Sequence, residues 1–233
     1  MLVGVSFRSE ADTQTVNTVT WDADGAGGNA PVALSVVAGT EQVNAVGTQT
    51  TDDVRVEIWS LLNPDSGTDG TIAIDLDGTG TSPISCGAAS FSNVDQSTPF
   101  DAVGAPATSE GSSIASLTVT SSAGDVVFGV LATQDGADTP LVGTGQTEYW
   151  NTFVDSGGSN TPGDITGAAS SEPGAASVTH TWSTIGSNSD WIFVALNIKH
   201  DSTPTPTPTN IATDTATPTE TPTDTATSTE TPA

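Results

Sequence analysis

The chain has almost no positive charge. Its 233 residues hold three Lys plus Arg against 28 Asp plus Glu, a formal net charge of −25. The three are Arg8, Arg55 and Lys199. A surface of that sign repels phosphate backbones and anionic lipid, which excludes nucleic acid as a partner. Cysteine is scarce as well. Cys86 stands alone, so no intrachain disulfide staples the fold. It lies in phase with Ile84 and Ala88, which reads as a small buried hydrophobe rather than a nucleophile. No run approaches the ~18 apolar residues of a membrane span, so direct insertion is not expected. The first seven residues lack the basic start and long apolar stretch of a secretory leader. Apolar spacing of 3.6 never persists over about ten residues, so no substantial helix is predicted.

Several kinds of chemistry lack their signatures. The sequence has no Gly-x-Ser-x-Gly elbow, no histidine-rich metal cluster and no phosphate loop. His180 sits between two threonines on a predicted strand, and His200 abuts the C-terminal tail, so neither suits a catalytic triad. Glu57, Glu148 and Glu172 are the carboxylates a glycosidase would draw on, but spacing alone brings no two of them across a cleft. We therefore expect no enzyme.

What is present is a period of two. Residues 54–64 read VRVEIWSLLNP, with Val54, Val56 and Ile58 alternating against Arg55, Glu57 and Trp59. Asn63 and Pro64 end that strand, since proline cannot donate to a ladder. Similar stretches recur at 2–8, 13–21, 32–37, 42–46, 71–76, 84–91, 114–121, 125–133, 147–153, 175–183 and 191–199. Gly, Asp, Ser and Pro lie between them. Residues 95–113 read as a long irregular connection. The strand at 191–199 is apolar on both faces, so something must cover it. The loops 95–113 and 134–146 are the expected cover. The fold class is all-β: a single antiparallel jelly-roll-like β-sandwich over 1–200. Residues 1–7 read as a strand already under way, which suggests that a first strand precedes them.

From Ser202 the composition changes. Threonine takes nearly every second position, with Pro204, Pro206, Pro208, Pro218, Pro222 and Pro232 interspersed. Such a segment buries no core, so 201–233 is expected to be a disordered Thr/Pro/acidic stalk or linker. The acidic excess has two readings, adaptation to high salt or carboxylates that bind divalent cations. Abundant Asp and near-absent Lys favour the first.

Four motifs carry a resemblance: LVGVSFR at 2–8, RVEIWSLLNP at 55–64, AASFSNVDQSTPF at 88–100 and EPGAASVTHTW at 172–182. In that order, over roughly 2–199, they resemble a group of uncharacterised β-sandwich domains in secreted and surface proteins of bacteria and archaea, whose members usually begin one strand earlier. The tail resembles the Thr/Pro/acidic stalks of haloarchaeal surface proteins. The resemblance implies an extracellular or cell-surface location and no assigned catalytic residues.

Two candidate sites follow. Trp59, Arg55 and Glu57 on the outer face of their strand, with Tyr149 and Trp150 as a second cluster, suit glycan binding, where exposed aromatics stack on sugars. Asp22 and Asp24, and separately Asp75 and Asp77, stand in Asp-x-Asp-Gly turns that suit a structural Ca²⁺, the one cofactor expected. Asn29 and backbone carbonyls would complete the first. The expected function is a non-catalytic extracellular or cell-surface module for adhesion or envelope structure. Its partners would be glycans or other envelope proteins. The alternatives are a carbohydrate-binding module of a larger secreted protein, and a filament or viral-coat subunit that receives a strand from its neighbour.

Overall fold

A computed structural model describes residues 1–9, 14–25, 30–44, 53–65, 70–77, 83–134, 139–155, 164–186 and 189–202. The predicted stalk falls outside the described residues beyond 202, and so does Asn29. In chain order the strands are β1 (Leu2–Ser9), β2 (Val16–Asp22), β3 (Val32–Ala33), β4 (Ser35–Val36), β5 (Gln42–Val43) and β6 (Asp53–Ser60). There follow β7 (Thr71–Leu76), β8 (Ile84–Ala89), β9 (Phe100–Val103), β10 (Ala107–Glu110), β11 (Ile114–Val119) and β12 (Val126–Gln134). The last are β13 (Leu141–Val142), β14 (Thr147–Val154), β15 (Ile165–Pro173), β16 (Val178–Ser183) and β17 (Asp190–Ile198). The described residues contain no helix, and every strand pairing is antiparallel.

The fold is all-β, with several antiparallel sheets packed together. Two sheets form the central sandwich: β4-β6-β1-β8, with β5 also on β6, and β10-β17-β12-β15-β14, with β9 also on β17. Their shared core joins Leu2, Val54, Val56 and Ile58 to Phe128, Val130, Ile192, Val194 and Leu196. The inner face read from residues 54, 56 and 58 is therefore correct.

A two-layer sandwich would leave both outer faces wet. Here each is covered by a three-stranded sheet, giving four layers. The ribbon β3-β2-β7 covers the first sheet and buries Val3, Val5, Phe7 and Trp59 under Val16, Val19 and Leu34. Ile72, Ile74 and Leu76 line its inner side, as their alternation predicts. The ribbon β11-β16-β13 covers the second sheet, with Leu117, Val119, Val178 and Trp182 against Val127, Leu131, Trp191 and Phe193. The expected cover for β17 is right for one segment of the two: 134–146 supplies β13 of this ribbon, as a strand and not a loop. Residues 95–113 instead supply β9 and β10, which pair along the edge of β17. A ladder satisfies backbone groups that an irregular loop pressed on a buried face would leave unpaired.

The segment at 32–37 is one stretch in sequence but two strands in space. β3 pairs with β2 and β4 with β6, and the chain crosses between layers at buried Leu34. Small residues set how closely the central sheets approach. A Cβ added to Gly167 would lie 2.7 Å from Ser85 Oγ and 2.9 Å from Ser6 Cβ. Ser6 Oγ donates to the Leu131 carbonyl at 3.1 Å, and Ser85 Oγ to that of Thr152 at 3.0 Å, so both hydroxyls bond across the sandwich.

Candidate functional site

The outer face of β6 is the first predicted site, and the structure closes it. Glu57 is fully buried and Trp59 is 8% exposed, because β2 lies over them. Glu57 Oε1 accepts from Arg55 Nε at 2.8 Å and from the Val16 amide at 3.2 Å, while Oε2 accepts from Trp59 Nε1 at 3.0 Å. The structure thus brings Arg55, Glu57 and Trp59 together, but as a bolt between two layers. Trp59 cannot stack on a sugar, which corrects the expectation of an exposed aromatic. The reason is the covering ribbon: an exposed and a buried charge pair read alike in sequence.

The aspartate pairs lie at opposite ends of the β2–β7 ribbon, where Asp22 faces Thr71 and Asp75 faces Thr18. Asp22 Oδ1 accepts from the Asp24 amide at 3.3 Å, an ordinary turn contact. Asp75 accepts from Asn17 at 2.8 Å. Asp77 accepts from the amide of Thr15 at 2.6 Å and from its hydroxyl at 3.0 Å, bonds that hold its carboxyl below the usual range. Among the described residues no three His, Cys, Asp or Glu side chains gather into a metal-binding group.

Cys86 is exposed on the edge strand β8, contrary to expectation. It shares a face with Ile84 as predicted, but the covering ribbon reaches only Ile84. Desolvation by its surroundings raises the thiol's pKa and keeps it a poor nucleophile.

Tyr149 and Trp150 are brought together with other aromatics. A bulge in β14 between Glu148 and Trp150 inserts Tyr149 as an extra residue. Both rings can then face the sandwich seam. Tyr149 lies 5.8 Å from Phe91 and 5.9 Å from Phe128, and Trp150 lies 6.1 Å from Phe128. Trp150 rests on Gly4 and Gly87, where any side chain would strike its ring. Tyr149 stays 41% exposed, with its hydroxyl 3.0 Å from Ser171 Oγ. Beside this cluster a cavity of about 330 Å³ opens between Leu61, Asn63, Phe91, Asn93 and Phe100. Asn63 and Asn93 hold left-handed backbones, with φ of 45° and 56°, a region asparagine tolerates better than most residues.

A buried polar centre between β15 and β16 was not legible in the sequence. His180 and Ser170 are both fully buried, with His180 Nε2 2.6 Å from Ser170 Oγ. Gln146 Nε2 donates to Ser170 Oγ at 2.9 Å. Gln146 Oε1 accepts from the Thr181 amide at 3.1 Å and from its hydroxyl at 3.3 Å. His180 stacks edge-on to Phe193 at 5.4 Å. Of the three carboxylates weighed for a glycosidase, Glu172 lies two positions from Ser170 on the same strand, and burial raises its pKa. Glu148 is exposed and bonds Asn151 at 3.4 Å, while Glu57 is locked in the other interface.

Burial lowers the His180 pKa from 6.5 to about 4. The unfolded chain then binds a proton that the folded chain refuses. The stability this group contributes is complete above about pH 6.5 and is lost as pH falls toward 4, about 3 kcal/mol in all. Denaturant midpoints between pH 4 and 7 check this. The wild-type curve should slope through the window more steeply than that of His180→Gln, and parallel curves would refute the assignment.

These features define a four-layer all-β module with a polar bolt in each outer interface and an aromatic-lined cavity at one end. Searches of known families, of curated proteins and of solved structures find no match to the chain.

Proposed function

We propose that the chain is a non-catalytic extracellular or cell-surface module for adhesion or envelope structure, a jelly-roll-like sandwich carried on a Thr/Pro-rich stalk. One observation carries the reading. The charged and polar groups that chemistry would call on are buried between layers, closed to any external substrate: Glu57 on one side, and His180 with Ser170 on the other. The resemblance to surface β-sandwich domains and the stalk composition point the same way. Immunogold labelling of intact cells tests the location. Label on the outside supports it, and label confined to the interior overturns it.

The acidic surface belongs to the same reading as an adaptation to salt. Mutual repulsion among exposed carboxylates weakens as counterions screen it. The melting temperature should rise by about 10 °C or more between ~0.1 M and several molar KCl, equivalent to roughly 3 kcal/mol for a domain of this size. A flat response would remove the salt adaptation.

A second reading, carbohydrate binding, is favoured by Tyr149 and the neighbouring cavity. A glycan array checks it: binding that Tyr149→Ala abolishes supports a glycan partner. The filament reading draws on β8 and β14, each with one edge unpaired among the described residues. Polymers that lengthen with concentration in electron micrographs would support it.

A further inference from the structure

The buried polar centre holds more than a structural hydrogen bond. Three groups from two strands, β15 and β16, meet the carboxamide of Gln146, and a fourth, His180, stands behind one of them. Ser170 offers a hydroxyl beside its nitrogen at 2.9 Å. His180 Nε2 stands 2.6 Å from that hydroxyl, close enough to take its proton. The amide and the hydroxyl of Thr181 both point at the carboxamide oxygen, at 3.1 Å and 3.3 Å. Two donors on that oxygen are what an acyl-transfer step needs where negative charge develops. Nucleophile, base, carbonyl and oxyanion donors are thus assembled without any external substrate.

We propose that Ser170 and Gln146 condense into an internal ester, with His180 as base and Thr181 as the oxyanion donor. A partial rotation about the terminal torsion of Gln146 turns the face of its carboxamide toward Ser170 Oγ, and the Thr181 hydroxyl rotates to follow the oxygen. The Oγ–Cδ bond forms as His180 takes the hydroxyl proton. The Cδ–Nε2 bond then breaks, and the same proton passes to the departing nitrogen, which leaves as ammonia. No oxidant, metal or cofactor enters the balance. Burial keeps His180 unprotonated at neutral pH, the state in which its ring can accept the hydroxyl proton, and the 2.6 Å contact with Ser170 Oγ supplies the geometry. His180 Nδ1 has no partner among the described residues, so there the ring is held by Ser170 and by its contact with Phe193. Ser170 and His180 are fully buried, which shields the ester from hydrolysis, while Gln146 is half-buried and leaves ammonia a way out.

The step is a single turnover that consumes its own residues, so it sits within a non-catalytic module. It ties the turn ahead of β14 to β15, 24 positions further along the chain. A chain with one cysteine has no disulfide to serve as that staple. An ester closing the same loop restricts the unfolded chain in the same way.

Intact mass spectrometry of the freshly purified full chain is the test. The wild type should weigh less than its sequence by one ammonia, and Ser170→Ala should show the full sequence mass. Fragmentation should recover one cross-linked peptide pair joining Gln146 to Ser170, and hydroxylamine should cleave it. His180→Gln should leave most of the population uncross-linked. A wild type at full sequence mass overturns the proposal, and needs no variant to fold. A mass loss that persists in Ser170→Ala, or a link from Gln146 to Thr181, overturns it equally.

Discussion

Replacing Glu57 with alanine should destabilise the domain by about 3–5 kcal/mol, the cost of breaking a buried ion pair from one side. Arg55, whose side chain is 11% exposed, would lose its counter-ion. The Val16 amide and Trp59 Nε1 would lose their acceptor, each a buried donor left unsatisfied. Glu57→Gln keeps a carbonyl for one of these donors and should cost less. The pair Arg55→Ala with Glu57→Ala should cost less than the sum of the two singles, because removing both partners leaves no stranded charge. Chemical denaturation of the four proteins closes the cycle. Additive losses would show that the pair is not a bolt. The damage should also be uneven. Amide exchange in β2 and β7 should accelerate before exchange in β12 and β17, since the ribbon is held to the sandwich at this point.

Trp150→Ala is the second large loss, about 3–5 kcal/mol for an aromatic removed from a packed seam. The fit can be tested from the opposite wall. A Cβ on Gly4 would lie 2.8 Å from both Trp150 Cζ2 and Val130 Cγ2, and one on Gly87 would lie 2.3 Å from Trp150 Cδ2. Gly87→Ala should therefore cost about 1–3 kcal/mol through overpacking in the wild type. In the Trp150→Ala background the same change should be neutral or stabilising, because the methyl enters the vacated space. Equal costs in both backgrounds would mean that the indole does not rest on Gly87. The urea slope should change little, so the midpoint alone reports the effect.

How much of this was legible depended on what each residue shows to a one-dimensional reading. The inner faces of β6 and β7 were legible because large apolar side chains alternated with polar ones. β15 was not, although it is buried from Ile165 to Ser171. Its Gly, Ala and Ser residues carry no hydrophobic signal, and they are there because Gly167 must lie against Ser85 and Ser6. The crossing at Leu34 was illegible for another reason: period two persists while the partner sheet changes. Tyr149 and Trp150 were found as a cluster, but the bulge that turns both rings to one seam was not. Arg55, Glu57 and Trp59 were singled out together, and they do meet. Their alternation identifies the outer face of β6, but it cannot reveal a third sheet lying on that face. Gln146, Ser170 and His180 come from three elements, and only the pairing register brings them together.

The position of β17 has a consequence for how the molecule comes into being. It is the last of the described strands, yet it lies inside its sheet, with β12 on one edge and β9 and β10 on the other. It also contributes to two of the three cores. As the chain emerges from the ribosome, β12 must wait with one edge open, and neither core can close until residue 198 is clear. Closure of both cores therefore waits for β17 and comes in one late step. A polypeptide stopped before Asp190 should be trapped as an open, protease-sensitive precursor, however complete its first sixteen strands.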